Sequence, residues 1–331
     1  MPIPADTIVG MYHPFRDVVW NGMTAGVPFK NFLITDAVRQ QYPWRQLAFE
    51  ILQRGEMPLW NPYTFAGTPL LANIQTALFY PMNLVYFFLP FNTSWTIQVM
   101  LQPILLSLFM FLYLKEIGLS KYAAAFGAFS LSLSGFSVAW LEWNTTLHTL
   151  IWLPLGLYCV EKIMKKEEIR WFVILGFSLS CIVFAGFLQT AFYALFLLGC
   201  YALFRVLVTR NLQDRKKILT GLAMVFASVV LVTSIQWIPT LKLINHSARS
   251  FDQGNVLERT DWFLPWQNLV QFVAPDYFGN PATLNYWGIF NYTEFVGYIG
   301  MTPLILALMG IVLPGKRLKQ TQRFFLVLLA V

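Results

Sequence analysis

Asp36 and Arg39 are the two residues whose types and spacing most directly suggest chemistry in this chain of 331 residues. They are three positions apart, so an α-helix would place both on one face. The carboxylate of Asp36 can take a proton from an acceptor hydroxyl or hold a metal ion, and the guanidinium of Arg39 can neutralise a phosphate. The alternative is an ordinary surface pair that contributes little to stability. Spacing alone leaves both interpretations open.

Glu142 is a second candidate catalytic acid, and it lies in a short loop between two apolar segments. Trp140 and Trp143 flank it, and tryptophan favours the headgroup layer of a membrane. An ionisable group held at membrane depth is a functional candidate. The alternative is an acid of the membrane interface that has no chemical role. His148, a little further on, is either a substrate-binding residue or a satisfied interfacial histidine.

Basic and aromatic residues are candidates for binding an anionic substrate. Arginine suits phosphate because its planar guanidinium offers parallel hydrogen bonds, although arginines in polar loops are more often solvated. The predicted substrate- and phosphate-binding residues are Arg39, Tyr42, Arg45, His148, Arg249 and Arg259. If a metal ion takes part, Asp36 is its predicted ligand. Whether the chain uses a divalent metal or no cofactor stays open.

The composition indicates a membrane protein, since 57% of the residues are hydrophobic and only 12% are charged. A soluble domain carries about 25% charged residues. The apolar segments predict an all-α, polytopic transmembrane helical bundle. The predicted spans lie near 95–114, 122–140, 147–163, 171–188, 189–208, 218–238 and 294–313, with an eighth, 324–331, cut by the end of the sequence.

The charged loops predict the orientation of this bundle. Four of them hold 15 of the 23 Lys and Arg residues and 4 of the 16 Asp and Glu residues: 115–121, 162–170, 205–217 and 316–323. Because positive loops stay in the cytoplasm, the first external loop at 1–92 and a later one at 239–293 are predicted to be extracytoplasmic. The basic residues form no single stripe, so no nucleic-acid partner is expected.

The first external loop is predicted to contain short helices that lie on the membrane. Residues 38–54 are the best helix candidate, with Leu47 and Ile51 among its apolar contacts and Gly55 as its stop. An external region at the start of the chain requires an upstream helix or a cleaved signal. The last apolar segment is too short to cross ~30 Å of hydrocarbon. We therefore expect the chain to be a fragment of a longer protein.

Short motifs through nearly the whole chain carry a family resemblance. They are Lys30-Asn31, Asp36, Gln41-Tyr42-Pro43-Trp44, Gly55-Glu56-Met57-Pro58-Leu59-Trp60-Asn61-Pro62, Gly67-Thr68-Pro69, Tyr80-Pro81-Met82-Asn83-Leu84, Asn285-Tyr286-Trp287, Asn291-Tyr292-Thr293-Glu294 and Tyr298-Ile299-Gly300. The motifs resemble those of the bacterial YfhO-like membrane proteins, and the Gly-Glu-x-Pro-Leu-Trp-Asn-Pro run is the most specific of them.

The resemblance implies a GT-C-type glycosyltransferase of the bacterial cytoplasmic membrane. Such enzymes transfer a sugar from a polyprenyl-phosphate-linked donor outside the membrane, here to a cell-envelope acceptor such as a polymer, a lipid or a teichoic-acid-like chain. The resemblance also implies that Asp36 is the essential acid of the first external loop and that Arg39 faces the donor phosphate. The implied partners are this donor, the acceptor and the lipid bilayer.

The sequence departs from the family pattern in two ways. The helix that precedes the first external loop in such enzymes is not in this sequence. The usual second acid of a paired motif is missing too, since Thr35 and Ala37 flank Asp36. Glu142 is therefore the candidate for the second acid, on topology rather than on motif. Two other functions stay open, a transporter or flippase of lipid-linked sugars and a non-catalytic scaffold for envelope glycosylation.

Overall fold

The computed structural model describes residues 36–208, 212–247, 264–283, 285–289, 291–312 and 319–330. Arg249 and Arg259 lie outside the described residues, so their predicted role in phosphate binding stays a prediction. The described chain is mostly helical with almost no strands, which confirms the predicted all-α fold. Its α-helices are Tyr42–Gln53 (α1), Phe91–Glu116 (α2), Lys121–Ser132 (α3), Gly135–Ala139 (α4), Thr146–Lys165 (α5), Ile169–Phe184 (α6), Leu188–Val208 (α7), Leu212–Asn245 (α8), Tyr292–Phe295 (α9), Met301–Val312 (α10) and Lys319–Ala330 (α11).

Within the part of the chain that the structure describes, three helices, α2, α7 and α8, are long and apolar enough to cross a membrane. The apolar segment predicted at 122–140 is divided into α3 and α4, and the helix in the segment predicted at 294–313 begins at Met301. How many of the other apolar segments span a membrane, and in which direction, stays a prediction.

The described residues fall into two compact units. Unit 1 comprises those of Met1–Leu101, Gly135–Thr145 and Gln236–Tyr298, and unit 2 those of Gln102–Ser134, Thr146–Ile235 and Ile299–Val331.

Unit 1 begins with a helix followed by short elements. A π-helical turn, Ala37–Gln41, leads directly into α1, and Gly55, at φ +79°, lies just beyond the end of α1. The helix predicted at 38–54 is thereby confirmed. The other short elements in this unit are the antiparallel strands Trp60–Asn61 (β1) and Thr68–Pro69 (β2) and the 3₁₀ helices Ile74–Thr76, Pro81–Phe87, Trp266–Phe272 and Pro281–Thr283.

Two apolar clusters hold α1 in place within unit 1. In the first cluster Phe49 packs with Tyr86 and with Trp95, which belongs to the first turns of α2. In the second cluster Ala48 packs with Leu70 and Leu78. Both clusters consist of buried side chains, so apolar packing holds α1 against its neighbours in unit 1.

Unit 2 is held together by a buried polar cluster in addition to apolar packing. Glu161 of α5 is buried and accepts hydrogen bonds from the Tyr201 hydroxyl at 2.5 Å and from Arg205 Nη2 at 3.0 Å, both on α7. The Tyr113 hydroxyl of α2 donates to Tyr201 at 3.1 Å. Because a buried charge requires a partner, these contacts fix the mutual register of α2, α5 and α7.

Candidate functional site

Asp36 lies at the start of an unusual backbone turn. It is half-buried and immediately precedes the π-helical turn, in which the Tyr42 amide donates to the Ala37 carbonyl. A π-turn is wider than an α-turn, so residues three apart are not aligned as in an α-helix. Arg39 is exposed, and among the described residues no ion pair joins it to Asp36. Single π-turns are frequent at functional sites.

A contact between Ala37 and Trp143 connects the segment of Asp36 to the loop of Glu142. Ala37 is 0% exposed and Trp143 3% exposed, and they pack together with Trp140. The rings of Trp140 and Trp143 lie 4.7 Å apart between centroids. Asp36 directly precedes Ala37 in the chain and Glu142 directly precedes Trp143, so each candidate acid is adjacent to one of the two residues in contact. The structure brings the backbone positions of Asp36 and Glu142 into one part of unit 1.

Arg45 is the most completely buried charged residue of this region, with 0% exposure. Its Nε donates to the Thr76 carbonyl at 3.3 Å, and its Nη2 donates to the Asn144 carbonyl at 3.2 Å. A longer contact of 3.5 Å joins Nη1 to Gln98 Oε1, and the guanidinium carbon lies 5.1 Å from the centre of the Trp95 ring. The guanidinium thus connects α1, α2, a 3₁₀ helix and the loop that carries Glu142.

These contacts favour a positioning role for Arg45. Its guanidinium faces protein oxygens, and no described carboxylate forms an ion pair with it. The carbonyl that accepts from Arg45 Nη2 belongs to Asn144, whose φ of +57° is in the left-handed region. A residue other than glycine keeps this conformation only where its surroundings hold it. Arg45 therefore supports the backbone two residues after Glu142, while phosphate binding by Arg45 stays a prediction.

Tyr42 also packs inside unit 1. Its hydroxyl donates to Asn92 Oδ1, and its ring lies 4.8 Å from that of Phe91 and 5.1 Å from that of Trp95. Burial raises the pKa of the Tyr42 hydroxyl. Tyr42 therefore fastens the start of α1 to the first turns of α2.

His148 belongs to unit 2, where it lies fully buried in the first turn of α5. The structure thus gives it no exposed surface, and its predicted role in substrate binding stays a prediction.

Glu294 is an acid of unit 1 that the motif and topology arguments did not select. It lies in α9, directly after Thr293, whose carbonyl accepts a hydrogen bond of 3.1 Å from the Trp140 indole. Its residue position is therefore next to the Trp140–Trp143 pair. Burial raises the pKa of the Glu294 carboxyl. Two sequence signals could have selected it, its place in the Asn291-Tyr292-Thr293-Glu294 motif and its position at the edge of an apolar run.

Among the described residues no three His, Cys, Asp or Glu side chains are grouped so that they could hold a metal ion. The prediction that Asp36 binds any metal involved stays untested.

A comparison with protein families matches residues 30–331, and the matching family is described as the bacterial membrane protein YfhO. The match includes Asp36, Glu142 and Glu294 and covers most of the sequence. No curated protein and no solved structure matches the chain. The chain therefore belongs to the YfhO family of bacterial membrane proteins.

Proposed function

We propose that this YfhO protein is a GT-C-type membrane glycosyltransferase. It transfers a sugar from a polyprenyl-phosphate-linked donor to a cell-envelope acceptor on the extracytoplasmic face of the membrane. The observation that carries the proposal is the packing of Ala37 against Trp143. This contact joins the chain neighbours of the two candidate acids, Asp36 and Glu142, and membership of the YfhO family supports the proposal.

The proposed reaction is an in-line displacement at the anomeric carbon of the donor. A hydroxyl oxygen of the acceptor forms the new bond to this carbon, while the bond from the carbon to the phosphate oxygen breaks. The electron pair of that bond leaves with the polyprenyl phosphate. Asp36 takes the proton of the attacking hydroxyl, as a positioned carboxylate can. Glu142 is the second acid and orients the acceptor.

Positive charge must meet the negative charge that develops on the departing phosphate. Arg39 is the described residue suited to this role, because it is exposed one turn away from Asp36. Arg249 and Arg259 remain further candidates for the same role. Arg45 is a positioning residue in this proposal, since its hydrogen bonds to the carbonyls of Thr76 and Asn144 hold α1 and the Glu142 loop together.

The test is an Asp36→Asn variant of the full-length protein in an envelope glycosylation assay. The substitution keeps the size of the side chain and removes its ability to accept the proton. We expect glycosylation to fall to background while the amount of protein in the membrane is unchanged. Wild-type activity at a normal protein level would refute the role of Asp36.

A triple variant distinguishes catalysis from the two alternative functions. A scaffold would tolerate the simultaneous replacement of Asp36, Arg39 and Glu142 by Asn, Gln and Gln, since it needs the fold but no reactive side chain. A flippase would move lipid-linked sugar across reconstituted vesicles without forming a product. Loss of product in the triple variant, together with no movement of donor by the wild-type protein, is the result that the glycosyltransferase proposal requires.

A further inference from the structure

The hairpin formed by β1 and β2 presents an unusual exposed surface in unit 1. Tyr63 and Phe65, in the loop between the strands, are 82% and 99% exposed. Leu59 and Trp60 at its base are also exposed. A large apolar surface of this kind is rare in water unless it marks a site of interaction.

Local contacts define the conformation of the loop, so this exposure follows from the fold. The buried Asn61 side chain accepts from the Tyr63 amide at 2.9 Å and donates to Thr64 Oγ1 at 2.9 Å. Phe65 adopts a φ of +51°, a strained conformation for a side chain of this size, and one that persists only where neighbouring contacts impose it. Gly67 accommodates the loop because an added Cβ would lie 2.4 Å from the Trp60 indole nitrogen.

The base of the hairpin is anchored on both sides. Leu70, directly after β2, is buried against Ala48 of α1. The carbonyls of Leu71 and Ala72 accept hydrogen bonds from Gln236 at 3.0 Å and from Thr240 at 2.9 Å. Both donors lie on α8, a helix long and apolar enough to cross a membrane. The predicted end of the span at 218–238 falls between these two donors, and on that prediction the base of the hairpin lies at the edge of the hydrocarbon.

The lack of charged residues around the hairpin also supports a position at the membrane interface. The sequence contains no Asp, Glu, Lys or Arg between Glu56 and Lys115, although the part before α2 is not a spanning helix. Irregular backbone does not face lipid inside the hydrocarbon region, because its polar groups would be unsatisfied. Aromatic side chains favour the interface, where backbone can still meet water. Leu84 and Phe88, just ahead of α2, extend the exposed apolar surface of the unit.

We propose that the hairpin is a membrane-docking element that inserts Tyr63 and Phe65 into a lipid leaflet at the boundary between headgroups and acyl chains. Its partner is the lipid of that leaflet. The hydrogen bonds of the Asn61 side chain hold the loop in a conformation that leaves both aromatic side chains exposed for insertion. This role is independent of the proposed transferase activity.

The test places a photoreactive benzoylphenylalanine at Phe65 of the protein, reconstituted in vesicles of phosphatidylglycerol and phosphatidylethanolamine. We expect irradiation to give lipid adducts, identified by mass spectrometry. Met100, an exposed residue of α2, is the positive control for contact with lipid, and Glu50, an exposed residue of α1, is the matched negative control in the same unit. Adducts at position 100 without adducts at position 65 would overturn the proposal, and so would exclusive crosslinking of position 65 to a second copy or to an added oligosaccharide.

A second measurement separates insertion from folding. With the probe at Tyr63, Phe65→Ser should lower the yield of lipid adducts roughly tenfold, since it removes the apolar surface of one aromatic side chain. Phe65→Leu, which keeps an apolar side chain, should retain most of the yield. Equal yields in the two variants would show that Phe65 does not contribute to docking.

Discussion

Ala37, the smallest side chain of the candidate site, lies where the segment of Asp36 meets the loop of Glu142. Ala37 is completely buried against Trp143, and its single methyl group allows the turn after Asp36 to approach the Glu142 loop. Each acid could be selected from sequence, because acids are rare among apolar and aromatic neighbours. Glu142 was predicted from topology as the second acid, but the contact between Ala37 and Trp143 could not be predicted, since a contact between residues far apart in the chain leaves no periodic pattern. For the same reason Glu294 was missed.

Glu294 gives a prediction about pH. Burial raises the pKa of its carboxyl above the usual 4.5 in the folded protein, so the fold favours the protonated form. The folded protein is therefore more stable at low pH than at high pH. This extra stability is fully present below the pKa of the Glu294 carboxyl in the unfolded chain, and it is lost as the pH rises through the pKa of the same carboxyl in the folded protein. Glu294→Gln should remove this loss. Thermal unfolding midpoints of both proteins in detergent, from roughly pH 4 to 8, should therefore diverge in favour of the variant as the pH rises.

The matched control is Glu50→Gln, on the exposed face of α1. Its unfolding midpoint should follow that of the wild-type protein throughout the range. Parallel curves for the wild type and Glu294→Gln would show that the Glu294 carboxyl is not desolvated in the folded state.

The elements of unit 1 show which local patterns determine structure and which do not. Apolar spacing and Gly55 were sufficient to predict a helix at 38–54. They could not show that its first turn is π-helical, because both kinds of turn use the same residue types. The β1–β2 hairpin was not predicted either. Its strands of two residues are too short for an alternating pattern, and its conformation depends on the side chain of Asn61 rather than on a strand-forming sequence.

Arg45 gives the prediction at the scale of elements, because its guanidinium joins α1 to α2 and to the Glu142 loop. Arg45→Ala leaves buried carbonyls without a donor and should lower the free energy of unfolding by about 3 kcal/mol. Arg39→Ala, at an exposed position of the neighbouring turn, should change it by less than about 0.5 kcal/mol. Tryptophan fluorescence during denaturant unfolding in detergent measures both.

Glycosylation activity of the same two variants separates positioning from direct contact with the donor. Arg39→Ala should reduce activity in a folded protein. An Arg45→Ala protein that is as stable as the wild type but no longer binds donor would contradict the positioning role and would assign Arg45 to the phosphate instead.

At the scale of the whole molecule, the all-α fold class could be predicted from the sequence, because membrane helices require long apolar runs. It predicted the individual helices less well. The segment at 122–140 is interrupted between α3 and α4, where the Gly135 amide donates to the Tyr298 carbonyl at 2.7 Å. An added Cβ at Gly135 would lie 2.3 Å from Val296. This tertiary contact interrupts an apolar run that is continuous by composition, and composition cannot reveal it.

The orientation inferred from charged loops gives a whole-molecule prediction. Glu50→Cys, in the first external loop, should react with a membrane-impermeant maleimide in intact cells, whereas Lys166→Cys, between α5 and α6, should react only after permeabilisation. Both positions are exposed. The unsubstituted protein reports the background from Cys159, Cys181 and Cys200. The opposite labelling pattern would invert the topology and place the candidate site in the cytoplasm.

The interleaving of unit 1 with the rest of the chain has a consequence for biogenesis. Its stretches end at Leu101, Thr145 and Tyr298, and a ribosome releases them in that order. The contact partners of Arg45, which are Thr76, Gln98 and Asn144, are all synthesised early. The hydrogen bond from Trp140 to Thr293 and the one from Gln236 to Leu71 can form only after the later partner has been synthesised. During the synthesis of the intervening helices the nascent first region is therefore incomplete. We expect this region to become resistant to proteases only after residues 236–298 have been synthesised.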